Sequence, residues 1–140
     1  MTLVVLRGHP GPGPTVTGPA LVAADNFSAR YDLDLMRGVF SRPGHALAGR
    51  SFVGVVLVLN AAKGGVATAW MLRDMAARGA APLALLFNAA NPIMVQGAVF
   101  AGLPLVDRFD TDITRAIGTG DLVTVEPALG LVTVRRSGAG

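Results

Sequence analysis

Apolar positions along the chain fall into short runs separated by glycine and proline. Residues 52–59 (FVGVVLVL) and 83–87 (LALLF) are apolar without alternation. That pattern predicts strands buried on both faces, as in the middle of a parallel sheet. Between them, residues 66–78 combine Ala, Met and Leu and stop at Gly79, which predicts a helix. Asn91-Pro92 reads as an N-cap followed by proline at the first helical position, opening a short helix over residues 93–101. Residues 103–106 form a third strand. Residues 122–126 and 131–135 do alternate, and Gly130 lies between them, so they predict an antiparallel pair. Short strands are expected at residues 3–6 and 20–23. Residues 8–14 (GHPGPGP) cannot be regular structure, and residues 60–65 (NAAKGG) read as a tight turn. Residues 26–49 are polar and loop-like, carrying Ser28, Arg30, Tyr31, Asp32, Asp34 and His45. A loop of that length is expected to be functional or covered by a partner. The order is a βαβαβ centre between β-rich ends: one layered α/β domain over residues 1–140.

Composition narrows the function classes. Apolar residues are 51% and charged residues 15% of the 140. So thin a polar shell predicts an apolar surface meant for a partner. The net charge is +3, but the arginines are scattered and only Arg135 and Arg136 are adjacent. No basic stripe or aromatic ladder points to nucleic acid. The chain has no cysteine, which excludes disulfides, thiol catalysis and an iron–sulfur cluster held by this chain itself. The charge-free residues 79–106 are long enough to span a bilayer, but Pro82, Pro92, Pro104, Asn88, Asn91 and Gln96 interrupt them. A strand–helix–strand passage is expected there instead. The first seven residues are too short for a signal peptide core, and the expected location is the cytoplasm.

Candidate chemistry concentrates after the first buried strand. In open α/β sheets, ligands bind beyond the carboxyl ends of the strands. That position carries Lys63-Gly64-Gly65 followed by a helix start. Glycines permit close backbone approach, and N–H groups at a helix N-terminus favour an anion. Lys63 is the single lysine beside eleven arginines. The spacing is neither a P-loop nor a dinucleotide fingerprint, so the anion is a carboxylate, or a phosphate held without magnesium. Asp107 and Arg108 end the third strand and are further candidates, as are Ser28 and Arg30 in the polar loop. Asn91 reads as a cap, Asp121 as a turn residue and His45 as a packed side chain without a nearby partner. His9 is the only candidate for a phosphocarrier site, and the prolines around it remove most of the amides such a site would use.

An ordered set of short pieces resembles a known family. Gly18-Pro19-Ala20-Leu21-Val22, the strand entry over residues 49–59, Lys63-Gly64, Arg78-Gly79-Ala80-Ala81-Pro82, Asn91-Pro92-Ile93, Gln96-Gly97-Ala98, Leu103-Pro104-Leu105-Val106-Asp107 and Gly120-Asp121-Leu122-Val123 recur in the order seen in aconitase X swivel domains. The resemblance covers about residues 15–135. It implies a swivelling β/β/α domain, like the mobile domain of aconitase. It also implies a separate small subunit of a hydro-lyase that closes over a small anionic hydroxy acid. A large catalytic aconitase X subunit would hold the iron or iron–sulfur cluster, so no cofactor is expected on this chain alone. Relatives dehydrate cis-3-hydroxy-L-proline or phosphorylated mevalonate. In many of them the loop reads Lys-Gly-Ser, with the serine placed like the catalytic base of aconitase's swivel domain. Here that position is Gly65, which has no proton acceptor. Either another group supplies the base, with Thr68 one turn into the helix as candidate, or this branch runs a different reaction. The alternative is a non-catalytic swivel module that binds a small anion or regulates a partner enzyme.

Overall fold

The computed structural model describes residues 3–28, 32–34, 36–62 and 66–136. Seven strands build the main sheet: β1 (Leu3–Arg7), β2 (Val16–Val22), β5 (Val56–Ala61), β6 (Ala84–Ala89), β7 (Leu105–Val106), β8 (Leu122–Glu126) and β9 (Leu131–Arg135). Their spatial order is β1-β9-β8-β2-β5-β6-β7. The pairs from β1 to β2 are antiparallel and those from β2 to β7 are parallel. Helix α1 (Val66–Ala77) connects β5 to β6, and α2 (Pro92–Ala101) connects β6 to β7. A four-residue helix, α3 (Ile113–Ala116), precedes β8.

Three layers follow from which faces are apolar. Leu57 and Leu59 of β5 and Leu85 and Phe87 of β6 pack with Leu72 and Met75 of α1 and Met94 and Ala98 of α2. The opposite faces, Val56, Val58, Ala84 and Leu86, pack with Leu6, Val123, Val125, Val132 and Val134 of the antiparallel half. The sheet therefore folds over at β2, and its two halves share a core. Both central strands are buried on both sides, which is why they do not alternate, whereas β8 and β9 alternate because only one face is covered. This is the expected β/β/α arrangement.

Several boundaries differ from the sequence expectation. β2 starts at Val16, because residues 16–19 pair with β8 before residues 20–22 pair with β5. Gly18 and Pro19 disguise it as a turn. β5 starts at Val56, since Gly54 has φ +73 and cannot lie in a strand. It runs on through Asn60 and Ala61, which were expected in the turn. β7 is two residues long, because Pro104 has no N–H to pair. Residues 26–49 are not simply a loop. They contain a two-stranded sheet, β3 (Leu33–Asp34) and β4 (Val39–Phe40), and bury Phe27, Leu33, Phe40 and Leu47 in the helix-side core. Single apolar anchors in polar sequence leave no period to read.

The GHPGPGP segment is a strap. The amide of Gly8 donates to Gly130 O, His9 N to Asp107 O and Gly11 N to Pro127 O, while Leu105 N donates to Pro12 O. It covers the free edge of β7 and ties it to the turn between β8 and β9. A Cβ at Gly11 would collide with the carbonyl oxygen of Leu105, a backbone atom that cannot swing aside. Gly11→Ala is therefore expected to destabilise the protein by about 1–3 kcal/mol in chemical denaturation. Gly44→Ala, whose added Cβ would meet only the Arg42 guanidinium at 3.7 Å, should stay within about 0.5 kcal/mol. Equal effects at the two sites would contradict the strap's role.

Candidate functional site

β5, β6 and β7 run parallel, so their carboxyl ends meet at one end of the sheet. Both long central strands carry an asparagine as their next-to-last residue at that end, Asn60 and Asn88. Segment 25–28 lies beside the end of β5: Asn60 N donates to Asp25 O, Phe27 N donates to Ala61 O, and Phe27 bridges Ala62 in parallel. Asp112 caps α3 from the other side.

These residues form a hydrogen-bonded row. The backbone amide of Ile113 donates to Asn88 Oδ1 at 3.0 Å. A backbone N–H can only donate, so the orientation of the Asn88 carboxamide is set. Its Nδ2 then donates to Asp112 Oδ1 at 2.9 Å and to Asn60 Oδ1 at 3.1 Å. Asn60 Nδ2 in turn donates to Asn26 Oδ1 at 3.2 Å. The row has an acceptor end, Asp112, and a donor end, the Nδ2 of Asn26. Hydrogen bonds from the Thr114 hydroxyl and Asn88, with the Thr114 amide and the Arg115 charge, outweigh desolvation and hold the Asp112 carboxyl below the usual carboxylate range.

Behind Asn26 lies a charged cluster. His45 has a fully buried side chain stacked on Phe40, with ring centroids 4.7 Å apart. Leu47 N donates to its Nδ1 at 3.0 Å, so the ring proton sits on Nε2 and is donated to Asn26 O at 2.8 Å. The same Nε2 lies 3.9 Å from Asp25 and 3.8 Å from Asp32. Asp32 accepts from Arg42 Nε and from the amide of Ser28. Burial pushes the Asp25 carboxyl up, but the amides of Ala46 and Asn26, with the nearby Arg42 guanidinium, bring it below its ordinary value. His45 thus has several partners, contrary to the sequence expectation. The cluster pins the backbone at residues 25–28 rather than offering a free base.

The sequence candidates distribute as follows. Lys63, Gly64, Gly65 and Arg30 lie outside the described residues. Thr68 falls in the first turn of α1, and its side chain also lies outside the description. Ser28 is described, and its Oγ is buried with no hydrogen-bond partner among the described residues. Asp107 is buried; its Oδ2 accepts from Ala90 N at 3.1 Å and lies 3.7 Å from Arg108 Nε. Arg108 takes a left-handed backbone (φ 57), and its amide donates to Asn88 O at 3.2 Å. Its side chain is 62% exposed and puts a positive charge at the same end of the sheet as the asparagine row. Asn91 is the N-cap of α2, accepting from Met94 N at 2.8 Å, and Asp121 accepts from Gly118 N in its turn, both as expected. Asn26, Asn60, Asn88 and Asp112 were missed. The readable signal was an asparagine closing each of two apolar runs, VLVLN and LALLFN.

Three comparisons bear on this arrangement. Residues 5–134 match the model of the aconitase X swivel domain family. The phosphomevalonate dehydratase small subunit of Methanocella arvoryzae is 35% identical over 91% of this chain and 96% of its own length. That of Aeropyrum pernix is 33% identical over 96% of both. Among solved structures, the holo-form of Thermococcus kodakaraensis aconitase X superposes with a TM-score of 0.88 at 24% identity. The match covers 95% of this chain and 99% of that one, and it shows the shared fold.

Proposed function

The chain belongs to the aconitase X swivel domain family, and from that premise we propose that it is the small subunit of a two-part dehydratase acting on phosphomevalonate. The observation that carries this reading is the near-complete coverage of both chains in the matches to phosphomevalonate dehydratase small subunits. A shared fragment would support only a shared module; coverage from end to end supports the same subunit. The carboxyl ends of β5, β6 and β7 suit an anionic substrate. Arg108 supplies charge, Asn26 supplies donors, and the sequence Lys63-Gly64-Gly65 ahead of α1 adds an ammonium and backbone amides.

The metal belongs elsewhere on this reading. The chain has no cysteine, and among the described residues no group of three His, Asp or Glu side chains is arranged to hold a metal ion; the His45 ring nitrogens, beside Asp25 and Asp32, are already taken by Leu47 N and Asn26 O. Its own donors do not fit an iron or iron–sulfur centre, which is assigned to the large subunit. What this chain contributes is closure over the substrate and orientation of its anionic ends, so that the hydroxyl and the hydrogen lost as water meet the partner's groups. Gly65 cannot act as the base, so the proton acceptor is another group, with Thr68 the candidate on this chain. Trp70 on α1 and Val99 and Phe100 on α2 are each more than half exposed, as residues of a partner-covered face would be.

The test is co-expression with an aconitase X type large subunit, followed by assay on phosphomevalonate. Water elimination beside a carboxylate creates a conjugated double bond that is read by ultraviolet absorbance. The complex is expected to turn over, to carry its iron on the large subunit, and to lose activity when the subunits are separated. A pure, iron-loaded complex inert on phosphomevalonate would overturn the substrate. Iron on the isolated small subunit would overturn the division of labour.

A further inference from the structure

Two neighbouring residues carry hydrogen-bond donors that no described residue uses. Asn26 and Ser28 flank Phe27, whose ring is fully buried and whose backbone bridges Ala62, one residue before Lys63. At Asn26 the asparagine row forces Oδ1 toward Asn60, so both hydrogens of Nδ2 point away from it and have no partner among the described residues. At Ser28 the hydroxyl is the only buried side-chain polar atom without a partner among the described residues. An unmet buried hydroxyl is costly and uncommon, and it asks for an occupant.

The surroundings hold this pair rigidly. Asn26 is tied through its carbonyl to His45, through its amide to Asp25 and through its side chain to Asn60. The amide of Ser28 is tied to Asp32, which Arg42 holds from the other side. Every one of these bonds leaves the Asn26 Nδ2 and Ser28 Oγ–H groups uncommitted. Preorganised donors without an acceptor match a ligand that only accepts, which is an oxyanion.

We infer that Asn26 and Ser28 form an oxyanion-binding pair that contacts the phosphate or the carboxylate of the substrate. This deepens the dehydratase reading and rests on it. The asparagine row is the positioning device: Asn88 and Asn60 pass the orientation dictated by the Ile113 amide to Asn26, so that donors rather than the carbonyl face the ligand.

The test uses the complex with the large subunit. Ser28→Ala is expected to raise KM for phosphomevalonate roughly ten-fold, the worth of one hydrogen bond to a charged group. It removes no bond present in the free protein, so Tm should not fall. Ser28→Thr keeps the hydroxyl and should recover most of the loss. Asn26→Asp still accepts from Asn60 but replaces the free donors by a repelling oxygen, so its KM should rise further than that of Ser28→Ala. Unphosphorylated mevalonate separates the two sources of oxyanion. A defect that disappears with it assigns the pair to the phosphate; one that persists assigns it to the carboxylate. Inorganic phosphate should raise the Tm of the wild-type complex and not that of Asn26→Asp. This measurement needs no turnover, so it decides the pair even if phosphomevalonate proves the wrong substrate. Wild-type KM in Ser28→Ala together with equal phosphate protection in Asn26→Asp would overturn the inference and leave a buried water as the occupant of Ser28. Absence of phosphate protection in a wild-type complex that is also inactive would overturn it equally.

Discussion

Phe27→Ala is expected to lower the unfolding free energy by about 3–5 kcal/mol, the range for truncating a fully buried aromatic ring. Phe27 is 0% exposed in the helix-side core. Its ring meets Phe40 edge-on at 6.4 Å and Phe87 at 6.0 Å, and Phe40 continues to Phe52 at 6.2 Å. Those partners come from β4, β6 and the turn before β5, so no single element can shift to fill the cavity. The bridge to Ala62 also fastens residues 25–28 to β5. Loosening it should release Asn26 and Ser28 from their fixed geometry. Urea denaturation reads the stability loss, and activity of the complex should fall beyond what the folded fraction explains. A loss below about 1 kcal/mol would show that the 26–49 segment is a detachable covering rather than part of the core.

Lys63→Met is expected to lower kcat/KM of the complex by roughly ten- to a hundred-fold, the worth of one charge-assisted contact of about 1.5–3 kcal/mol. Lys63 follows Ala62, where β5 delivers the chain to the end of the sheet shared with Asn88 and Arg108. The melting temperature should be unchanged. Lys63→Arg should not fully restore activity, because a planar guanidinium replaces a compact ammonium beside two glycines. Gly65→Ser asks about the base. If the base lies elsewhere, the added hydroxyl changes the rate modestly; if elimination was lost with the serine, some should return. Unchanged kinetics in Lys63→Met on a substrate the complex turns over would end the anion role of this lysine.

The sequence was sufficient for what neighbours along the chain decide. Non-alternating runs revealed β5 and β6 as strands buried on both faces, alternation revealed β8 and β9, and Asn91-Pro92 marked the start of α2 through local backbone chemistry. The ordered motifs revealed the family. Long-range pairing decided the rest. Nothing in GHPGPGP says that its glycines lie against β7, because their partners are about ninety to a hundred and twenty residues away. β2 hid behind Gly18 and Pro19, since its pairing changes partner along its length. Phe27, Phe40 and Leu47 looked like isolated apolar residues in a polar loop until the loop folded onto the helix-side core. The asparagine row was written near the ends of two strands, but a donor at one strand end finds its acceptor only when the strands lie side by side. Local periodicity determines which elements form; register and closure, which depend on the whole chain, determine which side chains meet.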